Sequence, residues 1–236
     1  MLLRYVPLIL ILIAGIGYSI SARKLTVSAA ITGAIVAFLV FAGASYSGIA
    51  LMTAFFILGS TATSWQHHQK QNFVTVQEHK SGRSAGQVLA NAGVGAITGI
   101  LTLLFPLYTQ LWVLMLAASF ASATADTLSS ELGTVYGRRF FNIITWKPDQ
   151  RGLDGVISLE GTLIGVSGCM VIAVIYAIGY GWNSWIIAII IAGTVGNLAD
   201  SILGATLERR GYIDNNTVNF LNTLIAALVM LLIYFI

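Results

Sequence analysis

Charge is what this chain most lacks. Of its 236 residues only 9% are charged, while 57% are hydrophobic; soluble domains carry about 25% charged residues. A soluble globule of this size has no way to hide so much apolar surface, which leaves an integral helical membrane protein. The apolar runs are continuous rather than alternating, which argues against a transmembrane β-barrel. Cysteine is nearly absent. Cys169 alone excludes an internal disulfide and a cysteine metal cluster, and its apolar run reads it as a buried structural thiol. The chain has no GxxxxGK[ST] phosphate loop, no protein-kinase glycine-loop set and no HExxH-type metal spacing. The histidines His67, His68 and His79 therefore read as surface residues. Low-complexity tracts and soluble domains are missing, so 1–236 is one transmembrane domain.

What is present are eight apolar segments, at 6–20, 27–42, 48–63, 87–104, 108–124, 161–178, 184–199 and 218–235. The expected fold is all-α: a compact bundle of about eight transmembrane helices, or seven if the first is not retained. Arg23-Lys24 directly after the first segment favours a retained helix over a cleaved signal peptide. The loops after the first, third, fifth and seventh segments hold eleven of the twelve Lys and Arg residues, leaving only Arg4 for the other side. By the positive-inside rule those loops are cytoplasmic and both termini are outside. All nine acids lie on or next to the same side. The net charge of +3 mostly reflects this topology, and nucleic-acid binding has no support.

Chemistry concentrates where apolar runs meet polar loops. Ala125-Asp126-Thr127-Leu128-Ser129-Ser130-Glu131 puts two carboxylates and three hydroxyls at the end of one run. An Asp at the centre of a membrane helix costs about 2.5–3.5 kcal/mol on insertion scales, so it normally faces a partner, a metal or a wet cavity. Asp126 and Ser130 share a helical face. Asp126 and Glu131 stand about 140° apart around a regular helix, so either the helix unwinds or each acid meets a different neighbour. A second run, Gly196-Asn197-Leu198-Ala199-Asp200-Ser201, has the same character, and Asn197, Ser201, Gly204 and Glu208 form one stripe beside Asp200. Ala125-Asp126-Thr127-Leu128 matches Ala199-Asp200-Ser201-Ile202 in residue type. The return segments begin with Asn91, Thr162, and Asn219 with Asn222, which suggests three helical hairpins converging on one inner-surface site, with or without a true internal repeat. Carboxylates with hydroxyls suit a hard cation such as Mg²⁺. The loop 126–160 adds Arg138, Arg139, Lys147 and Arg151 with Gly152, and Glu160-Gly161-Thr162 opens the next helix; cations, exposed N–H groups and a helix N-terminus suit phosphate oxygens. Gly95 with Gly99 and Gly161 with Gly165 are GxxxG patterns, read as close helix packing. A homo-oligomer is compatible with this composition.

Taken together, Gly82-Arg83-Ser84-Ala85-Gly86-Gln87-Val88-Leu89-Ala90-Asn91, the Asp126 run, Arg151-Gly152 through Glu160-Gly161-Thr162, and the Asp200 run resemble one membrane family. It contains plant phytyl-phosphate kinase and mammalian transmembrane protein nineteen, with bacterial and archaeal relatives. The resemblance covers the chain from about Gly82 onward. Ala125-Asp126, Ser129-Ser130, Gly133 and Tyr136-Gly137 are also similar to the pattern of dolichol and phytol kinases. Gly196-Asn197-Leu198, Ser201 and Glu208-Arg209 resemble the end of the CDP-diacylglycerol synthase signature, where an Asp follows the Gly; here Asn197 does, with Asp200 three residues on.

The resemblance implies a CTP-using enzyme of a prokaryotic cytoplasmic membrane with Mg²⁺ as cofactor. The reaction expected from it is transfer of the γ-phosphoryl group of this nucleoside triphosphate to a prenyl monophosphate lipid. On that reading Asp126, Glu131 and Asp200 bind metal at the catalytic centre. Arg138, Arg139, Lys147, Arg151 and Gly152 hold phosphates, and Glu160, Asn91, Asn197, Ser201, Asn219 and Asn222 orient substrate, metal or the groups around them. A cytidylyltransferase making a CDP-lipid is the alternative enzyme. A non-enzymatic transporter is the other class, and it predicts polar residues at the bilayer midplane and on the outer side.

Overall fold

The computed structural model describes residues 5–66 and 82–236; His67, His68 and His79 lie outside them. The apolar runs form seven helical elements in chain order: α1 Val6–Ser21, α2 Val27–Ser64, α3 Ala85–Leu104, α4 Thr109–Tyr136, α5 Leu159–Tyr180, α6 Trp185–Leu203 and α7 Asn215–Tyr234. A π-helical turn, Gly204–Glu208, extends α6. A two-residue antiparallel ladder, β1 Phe141–Asn142 with β2 Val156–Ile157, and the isolated bridges Leu25–Arg83 and Phe141–Pro148 are the β-structure among the described residues. Six elements are long and apolar enough to cross a membrane, and α1 is a shorter apolar helix of 16 residues.

One of the six is not a single rod. A straight helix of the length of α2 would run about 57 Å, yet Lys24 Nζ just before it lies 2.6 Å from Ser64 Oγ at its end. The chain reverses at Ser45, whose φ of 52° and ψ of −148° are non-helical. Gly48 sits so close to Val40 and Ala44 that an added Cβ would lie 2.8–3.0 Å from them. α2 is thus a hairpin whose arms, 27–44 and 46–64, correspond to the segments 27–42 and 48–63 seen in the sequence.

With that reversal the chain alternates in direction throughout, and every described charged residue except those of α4 and α6 falls in or beside loops at one end. The opposite end carries both described termini: Tyr5 packs on Phe41 near the Ser45 turn, and Trp185 stacks on Tyr234. Helix starts differ between the two ends. At the charged end Thr26, Ser84, Ser158 and Asp214 each accept a backbone N–H of the helix they open, and Ser84 forms a capping box with Gln87. At the other end α1, α4 and α6 begin without a side-chain cap. The first N–H groups of α3, α5 and α7 are therefore organised on the side where the polar residues gather.

α4 is the axis of the bundle. From Val113 to Ala125 its residues are buried on all faces, mostly as Ala, Ser, Thr and Leu, as expected of a helix enclosed by others. The GxxxG glycines serve contacts within the chain: Gly99 meets the backbone at Leu39 and Val40, Gly161 meets Gly133, and Gly165 meets Ala125 O. Cys169 is fully buried against Ala121.

Candidate active site

Asp126 stands ten residues before the end of α4, about 15 Å up the helix, and Asp200 three residues before the end of α6. Their carboxyl groups meet in hydrogen-bonding contact. Asn222 of α7 is fully buried and donates to Asp200 Oδ2 at 2.6 Å, while its own Oδ1 accepts from Ser122 Oγ at 3.0 Å. Ser130 Oγ donates to Asp126 O at 2.8 Å and lies 3.5 Å from Oδ1. α4 stays helical through this run, so of the two sequence alternatives the second holds: each acid meets a different neighbour.

Small residues permit this convergence. Gly165 faces Ala125 O at 3.1 Å and Asn197 Nδ2 at 2.8 Å from where its Cβ would be. That lack of a side chain lets Ser129 Oγ of α4 donate to Asn197 Oδ1 of α6 at 3.0 Å across the face of α5. On the loop side, Gly155 has φ of 74° and lies against the backbone of Ala205 so closely that any Cβ would collide with it. The strap 150–157 thereby rests on the π turn, a deviation often found at functional sites.

Around the paired carboxyls lies a polar cavity of about 400 Å³ at the charged end. Asp126, Glu131, Asp154, Asp200 and Glu208 line it, against the guanidinium of Arg83, the one cation lining it among the described residues. Arg83 is pinned in place: its N–H donates to Lys24 O at 2.9 Å, its O accepts from Thr26 N at 3.1 Å, and the guanidinium sits over the Phe55 ring at 5.9 Å. Burial lowers the Arg83 pKa from its ordinary value and the charge of Glu131 opposes that shift; an arginine remains charged regardless. At the rim, partial burial pushes the Asp154 carboxyl up, with Arg209 opposing.

Several expected site residues are brought together here: Asn91, Asp126, Glu131, Gly152, Asn197, Asp200, Ser201 and Asn219 all line the cavity, with Asn222 directly behind Asp200. Glu131 is on the same wall but pairs electrostatically with Arg83 rather than joining the two Asp carboxyls. The expected phosphate cations depart from their assignment. Arg138, Arg139 and Lys147 are exposed and do not line the cavity. Arg151 packs its guanidinium on Phe140 at 5.3 Å. Glu160 accepts the Arg138 N–H at 3.4 Å, outside the cavity. The reason is geometric: the β1–β2 ladder turns the middle of the loop away from the bundle and returns only the glycine-bearing strap to the cavity. Arg83 is a cavity-lining cation that the sequence assignment left out. Its signal was the capping box Ser84–Gln87 immediately after it, which fixes a residue at that position over the mouth of α3.

The donors at the pair are all oxygens, which suits a hard cation. Among the described residues no group of three or more His, Cys, Asp or Glu is arranged to hold a metal. Two carboxylates completed by substrate phosphates is the usual mode for Mg²⁺, and Asp126 with Asp200 fits it. An acidic chamber would also repel a free polyphosphate, so phosphates enter such a place with cations.

Comparison with known proteins bears on the family. Residues 9–227 match the model of the family described as integral membrane protein DUF92. An uncharacterized membrane protein of Methanocaldococcus jannaschii is 33% identical over 197 residues, covering 83% of this chain and 79% of that protein. One from Synechocystis sp. is 30% identical over 192 residues, covering 80% and 74%. The protein named VTE6, chloroplastic, of Arabidopsis thaliana is 28% identical over 193 residues, covering 79% and 58%. No solved structure matches the chain.

Proposed function

The chain belongs to the DUF92 family of integral membrane proteins, and from that premise we propose that it is a CTP-dependent prenyl-phosphate kinase. The observation that carries the reading is the contact of Asp126 with Asp200 in an acidic, membrane-edge cavity that Arg83 also lines. The motif resemblance to the family containing plant phytyl-phosphate kinase supplies the acceptor and the nucleotide. A phosphate oxygen of the prenyl monophosphate attacks the γ-phosphorus of CTP, the bond from that phosphorus to the β-bridging oxygen breaks, and CDP leaves with the prenyl diphosphate as co-product. No residue needs to act as general base, because the attacking oxygen is already anionic. Phosphoryl transfer then depends on positioning and charge neutralisation. Asp126 and Asp200 would hold Mg²⁺, which supplies that neutralisation when bound. Asn222 and Ser130 keep the two carboxyls oriented, and Arg83 binds phosphate oxygens.

The test is purified protein in detergent with Mg²⁺, radiolabelled CTP and a panel of prenyl monophosphates. The expected products are prenyl diphosphate and CDP. Formation of a CDP-lipid with pyrophosphate would move the reading to a cytidylyltransferase, and a folded preparation that consumes no nucleotide with any lipid phosphate would refute both.

A further inference from the structure

A second cavity, of about 280 Å³, runs between α1, both arms of α2 and α3. Its walls are apolar, with Leu12 and Ile16 from α1 and Ile49 and Phe56 from α2. It shares three residues with the polar chamber: Arg83, Gln87 and Asn91. The two cavities therefore adjoin at the start of α3, where Arg83, the only cation of the chamber lining among the described residues, stands. The groove reaches from Leu25 at the charged end to Ala37. The ten steps of α2 from Val27 to Ala37 correspond to about 15 Å of helix rise, about half of an approximately 30 Å hydrocarbon core.

We propose that this groove holds the isoprenoid tail of the acceptor lipid and that Arg83, at its mouth, binds the acceptor's phosphate. The proposal rests on the prenyl-phosphate kinase reading and specifies how the acceptor lies. A lipid monophosphate needs an apolar channel ending at a cation, and the junction supplies both within one turn of helix. The acidic half of the chamber repels the acceptor's phosphate and leaves it the Arg83 side. The metal-bound nucleotide is left the side of Asp126 and Asp200. Phe55 contributes to both functions, since it lines the groove and lies under the Arg83 guanidinium. Gly15 and Gly33 also line the groove, and nothing lies within 4 Å of where a Cβ on either would stand. A side chain at either position therefore starts from open space beside the groove, where its Cβ meets no packed neighbour.

The experiment is direct binding of radiolabelled geranylgeranyl monophosphate to the full chain in detergent, without nucleotide, for native protein, Gly33→Phe, Gly15→Phe and Arg83→Ala. Dimethylallyl monophosphate serves as a short competitor, and size-exclusion elution confirms that each variant is folded. Gly33→Phe and Gly15→Phe are expected to weaken the long lipid by about tenfold or more and to leave the short one unchanged. Arg83→Ala is expected to weaken both alike. Native-like affinity for the long lipid in both folded glycine variants would overturn the groove as the tail site, even if the enzyme turns over. Selective loss of the long lipid in a protein that phosphorylates nothing would keep the groove and remove the kinase. A tail carrying a diazirine should label peptides of α1, α2 or α3, and labelling confined to other helices would overturn the proposal as well.

Discussion

Replacing Asp126 with Asn tests the centre of the site. Two unit charges about 4 Å apart repel by about 4 kcal/mol at an effective dielectric of 20, and Asp126 and Asp200 are in hydrogen-bonding contact. In the metal-free protein that repulsion strains the junction of α4, α6 and α7. Asp126→Asn keeps the shape, removes one charge and lets an amide donate to Asp200. The metal-free variant is therefore expected to be at least as resistant to heat as the native protein in EDTA, by an amount up to that electrostatic limit. Mg²⁺ should act in the opposite way. A cation bound at a hundred times its dissociation constant stabilises the native protein by about 2.7 kcal/mol, and the variant should gain little of this. Turnover should fall by about a thousandfold or more, corresponding to about 4 kcal/mol of barrier. Thermal unfolding with and without Mg²⁺, alongside CTP turnover, measures all three. A variant that is less stable than native in EDTA, keeps the Mg²⁺ shift and retains a tenth of native turnover would refute the assignment of Asp126 to a cation site.

Three further outcomes follow from other contacts. Asn222→Ala removes the 2.6 Å bond to Asp200 in a fully buried place and leaves Ser122 only the backbone O of residue 222 to donate to; it should cost about 1–3 kcal/mol for the Asp200 oxygen left unsatisfied, read by denaturation in mixed micelles, and turnover should drop with it. Arg139→Ala and Lys147→Ala touch exposed residues away from the cavity, so kcat/KM should stay within about twofold of native, in line with ordinary surface substitutions; a large loss would return the phosphate role to the loop. Asp149 accepts from Arg209 Nη1 at 2.9 Å, and that bond, then the Gln150 N–H, holds its carboxyl below the usual range. A depressed folded pKa gives stability that is present above the unfolded value near 4 and is lost as pH falls through the folded value, so Asp149→Asn should lower stability at neutral pH, leave it little changed below the folded value, and thereby flatten the acid limb of a stability–pH profile.

The limits of the sequence reading are visible residue by residue. Hydropathy located the spans because apolar length is a local property, and it separated the arms of α2 even though the backbone departs from helix only at Ser45. The pairing of Asp126 with Ser130 was legible because residues four apart share a face on any helix. The departure of Arg138, Arg139 and Lys147 from the cavity was not legible, because a loop's composition does not say which way a two-residue ladder will turn it. Arg83 was quoted as part of a motif but not assigned to the site, since only the parallel course of 24–26 and 82–84 and the position of Phe55 aim it inward.

By itself the sequence determined that this is a helical membrane protein with its charges gathered at one end, and that Asp126 and Asp200 needed a partner there. Those conclusions depend on solvation and on helical periodicity, both fixed along the chain. The tertiary structure alone decided which partner: the two carboxyls are 74 positions apart in the chain, and their contact exists because Gly161 and Gly165 let α5 close on α4 while Asn222 holds Asp200 from behind. It also decided that the polar chamber lies beside an apolar groove, with Arg83, Gln87 and Asn91 lining both, which follows from how three helices fit together and is written in none of them separately.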